Sequence, residues 1–334
     1  MSHESNEIVI SCRVRLARNY FDLPFSTATH PQNAQICIDR AGQAVQSGSG
    51  SPYQLKQLKD MQATEKTALM EQHLISRDLL QNSPSGAAFM RDDHAVSIMV
   101  NEEDHLRIQG LMQGLRLPQA AELAFQAEEA LQSVCAFSFD SQLGYLTACP
   151  TNTGTGMRAS LMLHLPLLTS HKQMGDITQS VAKLGLTIRG IYGEGSEALG
   201  DLYQVSNQVT LGRTEKEILE AVTAVGHKLI DMENSLRNAD IVKSSCELQD
   251  CIFRSYGILR YALQMDANEF MRHWSHLRLG TALKLLPVEL SISDELLTIA
   301  QDAHAKLYLA KTDPSLSTNQ ARAKIIRSAL TKTI

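Results

Sequence analysis

The chain has 334 residues, 43% hydrophobic and 20% charged, enough apolar content for a sizeable core and too much for wholesale disorder. Lys and Arg number 31 against 36 Asp and Glu, a net charge of −5, which speaks against a protein held on nucleic acid or an anionic membrane by bulk electrostatics. No apolar run approaches the roughly 18 residues of a membrane helix, and MSHESNEIVIS at the N-terminus lacks the basic and apolar regions of a secretory leader.

The length suggests about two domains. Cysteines at 12, 37, 135, 149, 246 and 251 form no C-x-x-C, so reduced thiols, a cytoplasmic location and no structural metal site are expected. In chain order, EIVIS at 7–11 is a short strand. QSGSGS at 46–51 is a break, and Pro52 opens a helical pattern to about Leu80, with Leu55, Leu58, Met61, Leu69 and Leu74 near helical spacing. NSPSG at 82–86 precedes a strand, AVSIMV, at 95–100. Asn101 is expected to cap a helix whose first turn carries Glu102, Glu103 and Asp104.

Tyr145–Ala148 is another strand, followed by the turn-rich PTNTGTG and the alternating RASLMLHLP. Two further strands are expected at 186–192 and 203–210, separated by GEGSEALG. Thr214 and Glu217 form a capping box that opens a helix with Ile218, Val222, Val225 and Leu229 on one face. Strand signals stop near 240, and the remainder is helical with breaks at Pro287 and Asp313–Pro314. The expectation is an α+β domain at 1–240 and an all-helical interaction module at 241–334.

Five clusters carry chemical interest, each with a bland alternative. In Ser11-Cys12-Arg13-Val14-Arg15, strand periodicity puts Arg13 and Arg15 on one face, as a solvated sheet edge or as guanidinium forks for phosphate. In Asn101-Glu102-Glu103-Asp104-His105-Leu106-Arg107, a helix would place Glu103 and Arg107 four apart, as a surface ion pair or as a proton acceptor beside a phosphate ligand. The stretch from Cys149 to Ala159 contains G-x-G-x-x-A, but an alternating strand follows where a dinucleotide fingerprint needs a helix. Its loop, ending in Arg158, suits phosphate contact, and Cys149 is either an inert thiol or one bordering a charged site. Glu194 lies between glycines after Arg189 and Gly190, in a mobile polar connection or a closing loop. His273 and His276 have metal-like spacing without further ligands and read as a solvated helix face. Together, five arginines and two glutamates at strand ends and loop mouths suit phosphoryl transfer to a cationic nucleophile.

The segments SCRVRLARN, VNEEDHLRIQ, CPTNTGTGMRAS and IRGIYGEGSEALGDLYQVSNQVTLGR resemble the catalytic core of the phosphagen (guanidino) kinases, and more closely their bacterial protein-arginine kinase branch. The resemblance implies an antiparallel sheet flanked by helices, with ATP and Mg2+ on the donor side and a guanidinium nitrogen as acceptor. It implies a nucleotide-contacting set of Ser11, Arg13, Arg15, His73, Arg107, Arg158, Ala159, Ser160, Arg189 and Gly190, and catalytic roles for Glu103, Glu194 and Cys149. A helical domain precedes the S-x-R-x-R strand in the small-molecule enzymes. Here the strand starts at residue 7 and the helical module follows, which favours arginine on a protein over a free guanidino compound. Family likeness further implies protein quality control, a zinc-finger activator, a Clp-type ATPase partner and a homodimer through the helical tail. The alternatives are a kinase for a small guanidino compound and a non-catalytic adaptor. Departures include Cys12, Thr153 and Arg77, and the family's R-D-x-x-R-A phosphoarginine-sensing motif is reduced to Thr318-Asn319-Gln320-Ala321-Arg322-Ala323. Allosteric activation by phosphoarginine is therefore expected to be lost or rewired.

Overall fold

A computed structural model describes residues 7–25, 31–47, 51–81, 84–191, 198–238 and 246–331. Its centre is an eight-stranded sheet made of antiparallel pairs. In spatial order the strands are β2 (Tyr53–Gln57), β3 (Ala87–Arg91), β4 (Val96–Val100), β5 (Leu106–Gln113), β1 (Val9–Arg18), β8 (Met157–His164), β10 (Leu202–Asn207) and β9 (Leu186–Gly190). A small hairpin of β6 (Phe139–Asp140) and β7 (Gly144–Tyr145) stands apart.

Strand alternation divides the sheet into two unlike faces. Val14, Leu16, Ile108, Ala159, Leu161 and Val205 are fully buried on the back. There they join one apolar core with the helices at Leu117–Val134 and Glu215–Asn238. Gly110 permits that packing: a Cβ there would lie 2.0 Å from the Ala120 carbonyl oxygen, so any side chain would push the strand off the helix. The second of these helices opens with the expected capping box, Thr214 and Glu217 exchanging hydrogen bonds.

The C-terminal module is helical throughout its described residues, with helices at Cys246–Tyr261, Ala267–Ala282, Leu290–Ile299, Asp302–Lys311 and Thr318–Thr331. Phe270, Trp274, Leu277, Leu296 and Ile326 form its core, which also takes in Ile10, Leu167 and Leu202 of the sheet domain. No described helix is long and apolar enough to cross a membrane.

Local propensity was overridden in several places. The stretch after Pro52 is not one helix but strand β2, a single 3-10 turn and helices at Ala63–Glu71 and Arg77–Gln81. Tyr53–Gln57 pairs with β3, and sheet hydrogen bonding outweighs a leucine spacing that never makes a continuous face. The first strand runs on to Arg18, because both of its edges are paired. The strand expected at Tyr145–Ala148 is confined to Gly144–Tyr145. The helices at Pro31–Ser47 and Leu117–Val134 carried no signal used above. The expected domain boundary at 240 lies outside the described residues.

Candidate active site

Register decides which side chains meet. Across the sheet, Arg15 stands opposite Arg158, Ala17 opposite Arg107, and Arg13 opposite Ser160. Arg189 lies opposite Gln204, which faces Met162 and then Ser11. Directly paired residues share a face, so Arg13, Arg15, Arg107, Arg158 and Arg189 all project from the front. Ser11 and Ser160 share that face, and the Ser160 hydroxyl donates to the Arg13 carbonyl at 3.3 Å. Ala159 does not: it is fully buried in the rear core, and its N–H donates to Asn207 Oδ1 at 2.8 Å. Gly190 ends β9 opposite Tyr203.

The arginine cluster is electrostatically unbalanced. Burial and the neighbouring Arg13, Arg107 and Arg158 hold the Arg15 guanidinium well below its usual range, with Glu102 opposing. Its Nε, shielded from solvent, has no hydrogen-bond partner. Burial, Arg189 and Arg107 lower Arg158 likewise. Like charges at short range in a partly dry site are unfavourable unless an anion joins them. The donor set and the orphaned Nε fit a polyphosphate.

One end of the cluster opens into a cavity of about 250 Å³ lined by Arg15, Arg107, Arg158, Glu102, Glu103 and Cys149. The expected helix after Asn101 is absent. Asn101 adopts φ 62° and turns β4 into β5, its side-chain amide donating to the Ala34 and Ser85 carbonyls. Asn serves left-handed turns as readily as helix caps, and the acidic run that resembles a first helical turn is the tip of a hairpin. Glu103 and Arg107 therefore share no helix face. Arg107 pairs instead with the buried Glu102, which also accepts from Ser76.

Glu103 is exposed at the cavity, and partial burial together with Asp104 and Glu102 raises its carboxyl above the ordinary range. Asp104 accepts from Asn19 at 2.6 Å and from the Ala148 N–H at 2.7 Å, which ties the hairpin tip to the loop that holds Cys149. The Cys149 thiol lies 3.0 Å from the Thr151 hydroxyl. His73 is placed by Gln109, whose amide donates to its carbonyl at 2.8 Å, and by the Ser97 hydroxyl on the Leu74 carbonyl at 2.6 Å. Burial, Arg13 and Arg15 push the His73 imidazole down to about 4, so it is neutral near pH 7. Glu194 lies outside the described residues.

Comparison with known proteins places the chain in a family. The model of the ATP:guanido phosphotransferase C-terminal catalytic domain covers residues 38–236, and that of the protein-arginine kinase McsB C-terminal domain covers 245–333. The chain is 40% identical to a protein-arginine kinase of Caldanaerobacter subterraneus over 99% of both chains. It is 39% identical to one of Geobacillus stearothermophilus over 99% of this chain and 93% of that one. The chain belongs to the protein-arginine kinase family. Among solved structures, a lombricine kinase superposes with a TM-score of 0.62 at 27% identity, covering 71% of this chain and 69% of that one. Membership in this ATP:guanido phosphotransferase group implies ATP use.

Several residues that hold the candidate site together carry no sequence signal of that role by themselves: Ser76, Glu102, Asp104, Gln109 and Asn207. Gln109 follows Arg107 by two residues, so recognising β5 as a strand would have put both on the front face. The others are hydrogen-bonding anchors whose partners are distant in sequence. Two expectations outside the site also change. His273 and His276 are half-buried, and both approach the Ser255 hydroxyl rather than solvent alone. Arg322, the remnant of the sensing motif, is fully buried, its donors taken by Asp302, Asn319 and the Ala300 and Met265 carbonyls.

Proposed function

We propose that this chain transfers the γ-phosphoryl group of ATP to arginine side chains of proteins. The observation that carries the reading is the one-sided cluster of Arg13, Arg15, Arg107, Arg158 and Arg189, ending at Glu103 and Cys149. The arginines hold the phosphates and offset the charge that spreads over the phosphoryl oxygens during transfer. Glu103 orients the acceptor guanidinium and takes its proton as the N–P bond forms and the bond to the ADP leaving oxygen breaks. A free guanidinium keeps its proton beyond pH ~12, so a positioned base is required. The raised pKa of Glu103 improves its match to that task. Glu194 is assigned the second carboxylate on family likeness, and Cys149 borders the acceptor.

No group of three or more His, Cys, Asp or Glu side chains able to hold a metal occurs among the described residues. Mg2+ would be bound mainly through phosphate oxygens; the carboxylates lining that end of the site are Asp78, Glu102, Glu103 and Asp104, of which Glu102 is paired with Arg107. When bound it would neutralise phosphate charge. The wider reading is a cytoplasmic homodimer acting in stress-linked quality control, with a zinc-finger activator and a Clp-type ATPase as partners.

The test is incubation with Mg-ATP and either an unfolded protein or free arginine, followed by mass spectrometry under non-acidic conditions. Phosphoarginine on the protein, absent with Glu103→Ala, is expected. Labelling of free arginine alone would assign the chain to small guanidino compounds, and labelling of neither would make it an adaptor.

A further inference from the structure

The front face of the sheet continues past the arginines into a second, larger cavity of about 620 Å³. The sheet lines it with Ile10, Leu111 and Met162, and helix Leu290–Ile299 of the C-terminal module contributes Asp294, Leu297 and Thr298. Ser11 and His73 also line it, and His73 feels the charges of Arg13 and Arg15. The cavity is therefore continuous in position with the arginine cluster while reaching across to the other module.

The order of side chains along β1 gives the site a direction. Ala17, Arg15, Arg13 and Ser11 follow one another at two-residue steps, each roughly 7 Å. Ala17 and Arg15 line the cavity that holds Glu103 and Cys149, whereas Ser11 lines the larger one. A triphosphate whose terminal phosphorus faces Glu103 runs its sugar and base toward Ser11 and beyond. The volume suits a planar base, with an apolar floor of Leu111, Met162 and Leu297 and a polar edge that includes Arg116 and Asp93 as well as Glu295.

Helix 290–299 is fixed rigidly enough to serve as a wall. Arg278 donates to Asp294 at 2.8 Å and to the Glu7 carbonyl, just ahead of β1, at 2.6 Å. Trp274 Nε1–H donates to the Ser293 carbonyl at 2.7 Å. Just beyond the helix, the Glu71 carboxylate accepts from the Ala303 N–H at 2.8 Å and contacts His304 Nδ1 at 2.7 Å. Glu71 belongs to the segment that carries His73, so the next helix, Asp302–Lys311, is also tied to the sheet domain beside the cavity.

We propose that helix 290–299 of the C-terminal module forms the outer wall of the nucleotide base subsite, with the carboxylate of Glu295 selecting adenine. At the C6 position adenine presents an amine donor where guanine presents an oxygen acceptor, so a carboxylate facing that position favours the first and repels the second. The inference rests on the phosphate-binding reading of the arginine cluster. It also makes docking of the module part of nucleotide affinity, since a ligand held by both modules stabilises their contact.

The experiment measures kcat and KM with ATP and GTP, and binding of a fluorescent ADP, for the full chain and three variants. Thr298→Phe, which fills the cavity, is expected to raise KM for ATP about tenfold while kcat changes by less than about twofold. Glu295→Lys is expected to shrink the preference for ATP over GTP by about tenfold. Arg15→Ala reports separately on the phosphates. Loss of ADP binding in Arg15→Ala, with wild-type KM and nucleotide preference in the other two, overturns the wall and leaves the phosphate site standing. Weakened binding in Thr298→Phe with unchanged binding in Arg15→Ala overturns the phosphate reading on which the wall rests. Unchanged thermal unfolding separates both results from misfolding, and Glu71→Gln, which loosens the far anchor, is expected to raise KM for ATP in the same direction.

Discussion

Buried arginines occur both on the front of the sheet and inside the helical module, and their surroundings are opposite. In the module, Arg322 spends its donors on Asp302, Asn319 and two carbonyls, and Arg278 on Asp294 and the Glu7 carbonyl. Arg18, on the same strand as the cluster, behaves like these: it pairs with Glu128 at 2.6 Å, donates to two carbonyls and stacks 3.5 Å over the Tyr145 ring. Arg15 and Arg158 instead have other guanidiniums as neighbours and depressed basicity, and Arg15 keeps an orphaned Nε. Burial does not distinguish a structural arginine from one arranged for a ligand. Among these arginines, the supply of acceptors does.

The strongest way to break that contrast is Arg15→Ala. Phosphoarginine formation is expected to fall about 10³-fold or more, while the melting temperature holds or rises because like-charge repulsion is relieved. A large loss of stability with activity retained would reverse the assignment. Glu103→Gln sharpens the acceptor end, with an expected fall in kcat of about 10²–10⁴-fold. Because the Glu103 pKa is raised, the wild-type acid limb should sit above the ordinary carboxylate range, with rate increasing as pH rises through it; the Gln variant should lose that limb. Arg322→Ala tests the opposite population. Removing a buried, fully engaged guanidinium should cost about 3 kcal/mol in denaturant unfolding, with several acceptors left unpaired.

A pH-dependent effect belongs to His73. Its folded pKa, about 4, lies below the unfolded value near 6.5. Its contribution to stability is therefore fully present above pH ~6.5 and lost as pH falls toward 4, because the unfolded chain binds the proton first. His73→Gln should flatten that portion of the stability profile and leave the KM for ATP level between pH 6 and 8.

Much of the candidate site is legible in local sequence. Arg13, Arg15 and Arg158 sit on strands whose period is plain from alternation; alone, Arg13 and Arg15 read equally as a solvated edge, and only the clusters taken together make the three phosphate forks. What misled was chemistry shared by two local structures. Asn101 followed by three acidic residues satisfies the rules for a helix start, yet an asparagine in the left-handed region ends a strand equally well. Ala159 adjoins Arg158 in sequence, but strand periodicity turns it to the back of the sheet. Glu102, Asp104 and Gln109 matter through partners tens of residues away, at Ser76, Asn19, Ala148 and His73, which no spacing rule encodes.

By itself, the sequence determined the composition of the site: arginines in number, carboxylates nearby, and strand alternation that puts Arg13 and Arg15 on one side. Those are consequences of residue chemistry and the two-residue period of an extended backbone. Tertiary structure alone decided that five arginines from four strands share one face, that Glu102 rather than Glu103 pairs with Arg107, and that helix 290–299 closes the far cavity. Those depend on register and on long-range hydrogen bonds, which are set by how the whole sheet buries its back and docks the helical module.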